Sequence, residues 1–122
     1  MGFRKINDLD ECHTLLTVLF EDAALASRVA EALGTKTVSG SGWHVYNNME
    51  HVLAYTDSAG NKPYHKHMLP QTDDILNRSI NLSVGVVDPG LGASFGINIL
   101  STDEEIEKTA QKFVDTVKPI VD

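Results

Sequence analysis

Ser79-Ile80-Asn81-Leu82-Ser83-Val84-Gly85-Val86-Val87 is the stretch whose reading decides the fold. Ile80, Leu82, Val84 and Val86 share one face, while Ser79, Asn81, Ser83 and Gly85 share the other. Side chains alternate along a strand, so the pattern predicts a half-buried strand whose polar face carries only small residues. Such a face suits close packing by a second element or an open cleft. Asp88-Pro89-Gly90-Leu91-Gly92-Ala93-Ser94 follows and loosens the backbone, and Phe95, Ile97 and Ile99 then alternate with Gly96 and Asn98. The expectation is an antiparallel pair joined by a long connection.

Upstream, Phe3 to Glu11 reads as a polar connector, and Thr14 to Phe20 as a central strand with apolar residues on both faces. Asp22 is placed to cap a helix from Ala23 to Leu33, which Gly34 ends in a left-handed turn. Thr35 to Ser39 is expected to form a second strand, running into a turn at Gly40-Ser41-Gly42. A short helix is expected from about Asn48 to Ala54, a polar loop from Thr56 to His67, and a helix capped by Thr72 that runs through Arg78.

Downstream, Ser101 with Glu104 reads as a capping box, and Ile106, Ala110, Phe113, Val117 and Ile120 recur at helical spacing. Acidic residues gather at the start of this helix and Lys112 and Lys118 near its end, as the helix dipole favours; Pro119 is expected to end its regular part. The element order predicts an α+β fold, a two-layer sandwich with a small antiparallel or mixed sheet and helices packed on one face.

The 122 residues suit a single domain spanning residues 1–122. Hydrophobic residues at 42% and charged residues at 22% are the balance of a chain that buries a core. A net charge of −7 excludes the basic footprint of a nucleic-acid binder and disfavours an anionic membrane surface. No apolar run approaches the ~20 residues of a membrane span, and the first residues lack the apolar centre of a signal peptide, so a cytoplasmic location is expected. Cys12 is the only cysteine, which rules out an intramolecular disulfide and a multi-cysteine zinc site; it reads as a partly buried, inert thiol.

Four histidines, His44, His51, His65 and His67, invite a metal reading, but Lys66 between the last two opposes a cation and the spacing is not that of a ligand set. No metal site is expected. His44 and Tyr46 follow glycines that let the backbone approach a ligand, and both are candidates for a substrate cleft; packing of Trp43 and Tyr46 is the plainer alternative. Glu50 beside His51 is a candidate for proton transfer. The loop from Asp88 to Gly92 lacks the Lys-Ser/Thr ending of a phosphate loop and reads as a turn. Arg78 is placed to hold a carboxylate or phosphate, or else to pair with Asp73 or Asp74 on the preceding turn.

Three stretches together resemble the C-terminal small domain of pyridoxal-phosphate-dependent aminotransferases of fold type I, in particular the DegT-like sugar aminotransferases. They are Ser41-Gly-Trp-His-Val-Tyr46, Met68-Leu-Pro-Gln-Thr-Asp-Asp-Ile-Leu-Asn-Arg-Ser-Ile-Asn-Leu-Ser83 and Thr102-Asp-Glu-Glu-Ile-Glu-Lys-Thr-Ala110. The resemblance runs from about Thr14 onward. Where the family places a proline and then a histidine after its tyrosine, this chain has Asn47-Asn48-Met49-Glu50-His51. The resemblance implies a domain of a longer enzyme that moves an amino group between an amino acid and a keto sugar. A large domain of the same polypeptide would carry the Schiff-base lysine and bind pyridoxal phosphate, and the enzyme would be a homodimer. It implies that His44, Tyr46 and Arg78 face substrate as orienting groups and that the isolated chain is not catalytic. A reading from a different class is a free-standing α+β module that dimerises and binds a small metabolite. A metal enzyme using the histidines ranks behind both.

Overall fold

The computed structural model describes residues 1–3, 15–42, 44–85, 93–94, 97–98 and 100–122, with 93 and 94 described by backbone alone. The strands are β1 (Gly2–Phe3), β2 (Leu15–Leu19), β3 (Ser79–Ser83) and β4 (Ala93–Ser94), and the helices α1 (Ala23–Ala32), α2 (Glu50–Leu53), α3 (Pro70–Asn77) and α4 (Asp103–Val121). The sheet order is β1-β2-β3-β4, so β2 is central, as its apolar sequence requires. β2 and β3 pair antiparallel from Leu15 opposite Ser83 to Leu19 opposite Ser79. This register sets Val18 beside Ile80 and Leu16 beside Leu82 on the core face. On the other face, Thr17 donates its hydroxyl proton to Asn81 Oδ1 across 2.8 Å.

The helices α1 and α4 cover the apolar face, giving the two-layer α+β sandwich. Val18, Phe20, Ala26, Val29, Ala30, Ile80, Leu82 and Val117 form the buried core, with Phe113, Ile120 and Val121 packed against its edge. α1 begins where Asp22 Oδ1 accepts from the Leu25 amide at 2.7 Å. It ends in paired turns, Thr35 N–H to Ala30 O and Gly34 N–H to Glu31 O, that require the left-handed Gly34 at φ 69°.

Several boundaries differ from the sequence expectation. Thr35 to Ser39 is not a strand: Thr37 makes one bridge to Ile80, and Val38–Gly40 turn as a short 3-10 helix. The Thr37 and Ser39 hydroxyls bond each other and the Ser41 hydroxyl bonds the Val38 carbonyl, local partners that compete with a ladder. The partner that follows β3 is β4 at Ala93–Ser94, within the expected connection, and it runs parallel; of the antiparallel strand expected from Phe95 to Ile99, Ile97 and Asn98 are in no strand and the rest lies outside the described residues. The connection of nine residues, 84–92, is far longer than the two-residue turn that enforces a hairpin, and β2 already occupies the other edge of β3. Val86 to Gly92, Phe95, Gly96 and Ile99 lie outside the described residues, as do residues 4–14, including Cys12, and Trp43. The short helix α2 spans only Glu50–Leu53 and follows a 3-10 turn at Tyr46–Asn48. Helix α3 starts two residues before Thr72, because Pro70 at its first position has the helical φ preset, and no side chain caps it.

The capping box of α4 sits one residue later than expected. Glu105 N–H donates to Thr102 Oγ1 and Thr102 N–H to Glu105 Oε2, while Ser101 Oγ accepts from the Asn98 amide in the preceding turn. Thr102→Ala is therefore expected to cost about 1 kcal/mol in urea unfolding. Ser101→Ala should cost less, and a reversed order would place the box where the sequence put it. Pro119 does not end the helix either: α4 continues to Val121, because Ile120 and Val121 need that last turn to reach the core.

Candidate functional site

The described polar residues converge most densely on Asp73, on the first turns of α3. Two loops reach it. The first folds around buried Val45, with Asn48 Nδ2 donating to Gly42 O at 2.9 Å and Ser41 Oγ 3.2 Å from His44 Nε2. Gly42 has φ 152°, a conformation side chains rarely adopt, and a Cβ there would meet the His44 ring. The 3-10 turn that follows directs Tyr46 and Asn47 at α3. Tyr46 Oη and Asn47 Nδ2 each donate to Asp73 Oδ1 at 2.8 Å.

The second loop ends at His67, whose backbone lies in the left-handed region at φ 61°. Its amide donates to Asn47 Oδ1 at 2.8 Å, and its Nδ1 lies 3.1 Å from Asp73 Oδ2. The Leu69 amide donates to Tyr46 Oη at 3.2 Å and closes the network. Asp73 is 14% exposed while His67 is 76% exposed, so the carboxylate is sheltered and the imidazole faces solvent.

The charges of this cluster are set by those bonds. Burial by itself would raise the Asp73 pKa, but the hydrogen bonds from Tyr46, Asn47 and His67 outweigh it and hold the carboxyl below its usual range. Burial and the hydrogen bond to Asp73 push the Tyr46 phenol above its usual value. A depressed carboxyl pKa contributes stability that is present above the unfolded value, about pH 4, and is lost as pH falls through the folded one. A raised phenol pKa contributes stability present below about pH 10 and lost as pH rises through the folded value. Asp73→Asn is expected to flatten the acid limb of the stability profile relative to wild type in urea titrations across pH. Asp57, also depressed by its bonds to Asn61, remains in both proteins and leaves a residual acid slope. Identical acid limbs would show that the network does not discriminate the charged carboxylate.

The three residues expected to face substrate are placed differently. His44 is exposed and lies against Ser41. Tyr46 is half-buried, and its hydroxyl both donates to Asp73 and accepts from Leu69, so it positions the loop. Arg78 is committed elsewhere: Nε and Nη2 contact Asp74 Oδ2 at 2.9 and 2.8 Å, and Nη1 donates to Phe20 O at 2.8 Å. The structure thus joins Tyr46 to Asp73 and His67, and Arg78 to Asp74 and the end of β2. Glu50 and His51 are exposed on α2, and His65 contacts the Lys66 carbonyl. Among the described residues, no three His, Cys, Asp or Glu side chains converge as metal ligands. Asp73, read from the sequence only as a possible partner of Arg78, and His67, read only among the clustered histidines, are the residues whose link pattern reading missed. The available signal was Pro70, which fixes the start of α3 and so places Asp73 in reach of the preceding loop.

No helix among the described residues is long and apolar enough to cross a membrane. Compared with protein families, with characterised proteins and with solved structures, the chain matches none.

Proposed function

We propose that this chain is the substrate-cleft small domain of a pyridoxal-phosphate-dependent aminotransferase of the sugar-aminotransferase kind, closing over a keto sugar that a large domain of the same polypeptide aminates. The observation that carries the reading is the Asp73 network. Two of the three stretches that resemble this family, around Tyr46 and from Met68 to Ser83, are far apart in sequence yet held together by Tyr46, Asn47, Asp73 and Leu69. Loops fixed on a helix in this way suit the wall of a cleft. Within that wall His44 faces substrate, Tyr46 positions its loop, and Arg78 secures α3 to β2.

Among the described residues, none fits the cofactor's Schiff base. Lys36, Lys62, Lys66, Lys108, Lys112 and Lys118 are all exposed, and a Schiff-base lysine works desolvated, beside groups that lower its pKa. Transfer chemistry is therefore assigned to the partner domain, and this chain orients substrate and excludes water. A homodimer belongs to the same reading, supported by the exposed apolar side chains of Leu100, Ile106 and Val114. The cytoplasm is the compartment proposed with it, since a single cysteine leaves no intramolecular disulfide to maintain.

Immunoblotting of the source cells with antibody against this chain tests the proposal. A band several-fold larger than 13.3 kDa is expected. A band at 13.3 kDa overturns it in favour of a free-standing metabolite-binding module.

A further inference from the structure

We propose that residues 44–68 form a strap that swings off the body of the domain as one unit, latched at both of its ends by Asp73 while the sheet, α1 and α4 stay folded.

The two ends of the strap meet on one carboxylate. Near its start, Tyr46 Oη and Asn47 Nδ2 each donate to Asp73 Oδ1 at 2.8 Å, and near its finish His67 Nδ1 lies 3.1 Å from Asp73 Oδ2. The ends are also tied to each other. The His67 amide donates to Asn47 Oδ1 across 20 positions of sequence, and the Leu69 amide, at the edge of α3, donates to Tyr46 Oη. Tyr46 and Asn47 therefore each touch Asp73 with one hand and the far end of the strap with the other, so loss of the carboxylate loosens start and finish together. Asp73 is sheltered, and its partners hold the carboxyl below its usual range, so the acceptor is charged and its bonds are of the strong kind.

Little apolar burial adds to that fastening. Among the described residues of the strap Val45 alone is buried, and it does not belong to the core cluster, which is drawn from β2, Phe20, α1, β3 and α4. Order inside the strap is local. The Val52 and Leu53 amides bond Met49 O, the Ala54 amide bonds Glu50 O, Asp57 accepts from the Ala59 and Asn61 amides, and the Tyr55 and Tyr64 rings lie 6.0 Å apart. None of these bonds needs a partner outside the strap, so they survive its release. The flanks suit hinges: Gly42 stands at φ 152°, which other residues rarely adopt, and Leu69 at φ −120°, ψ 75° leaves regular structure just before Pro70. A segment with one buried side chain and a shared fastening point belongs to the low-stability end of a fold, from which lids are drawn.

The test is native-state hydrogen exchange of the full chain, read by NMR in wild type, Asp73→Asn and Val117→Ala. In wild type the Leu53, Ala54, Asn61 and His67 amides should share one opening equilibrium, more populated than that of the amides of β2 and α1. Asn keeps the shape of Asp73 but loses its charge and one acceptor oxygen. In Asp73→Asn all four strap amides should exchange faster by a common factor of at least about ten, the worth of one hydrogen bond to a charged group. Tyr46→Phe, which removes one donor and leaves the carboxylate, should give the same pattern to a smaller degree. Val117→Ala empties a buried site on α4, and should speed exchange in β2 and α1 while leaving the strap amides as they were. Acceleration confined to the His67 amide would mean that the two loops open separately and would overturn the proposal. So would strap amides unprotected in wild type, strap amides unmoved by Asp73→Asn and Tyr46→Phe, or strap amides that follow the core in Val117→Ala.

Discussion

Phe20→Ala is expected to lower unfolding stability by about 3–5 kcal/mol, the usual cost of emptying a buried phenylalanine site. Phe20 is 1% exposed and is the largest of the fully buried side chains. It extends the Leu16-Val18 face of β2 beyond the strand end, into the layer shared with α1 and α4. Its backbone is also fixed, with the Phe20 amide donating to Arg78 O at 2.9 Å and the Phe20 carbonyl accepting from the Arg78 guanidinium. The site therefore has little freedom to collapse, which places the cost at the upper part of that range. Domains of this size are stable by about 5–15 kcal/mol, so the variant should populate unfolded chain under native conditions. Urea unfolding monitored by circular dichroism measures the loss. Leu100→Ala is the control: Leu100 is 87% exposed, and its truncation should change stability by no more than about 0.5 kcal/mol. A Phe20→Ala loss no greater than that of Leu100→Ala would show that the core is centred elsewhere.

Arg78→Ala is expected to cost about 2 kcal/mol, through the contact with the Phe20 carbonyl more than through the ion pair. The Asp74 side chain is 59% exposed, and a pair so open to water contributes under about 1 kcal/mol. Asp74→Asn should therefore cost less than Arg78→Ala. Arg78→Lys should recover little, because one ammonium lacks the fork that reaches a carboxylate and a carbonyl together. The same urea measurements decide the matter. If Arg78→Ala leaves stability unchanged, the guanidinium is free to serve as the substrate anchor that its sequence position suggested.

Local signals made part of this fold legible. Asp22 and Gly34 bracket α1 by capping chemistry written within the helix ends, and the alternation of β3 and the apolar run of β2 identify both strands. The direction of the β3–β4 pairing was not legible, because a connection as long as residues 84–92 permits either direction, and β4 is only two residues long. The cap of α4 was ambiguous for a different reason. Ser101 with Glu104 and Thr102 with Glu105 both satisfy the box spacing, and only the turn that engages Ser101 with Asn98 selects between them. At the candidate site, Tyr46 was singled out but its partners were not, because Asp73 and the Leu69 amide lie 27 and 23 residues away and leave no local pattern. His67 was visible only as one of the four histidines between His44 and His67, since a left-handed histidine fastened to an aspartate six residues on leaves no periodic trace.

The register of β2 against β3 also governs how the chain reaches its fold. Thr17 and Asn81 face each other across 64 positions of sequence, so the central ladder closes a long loop before its first contact forms. Helix α1 and the Asp57 turn need only neighbours and can form early; the ladder waits on chain diffusion. Refolding is therefore expected to be slowed by these non-local contacts, with the sheet centre forming after α1 and the Asp57 turn.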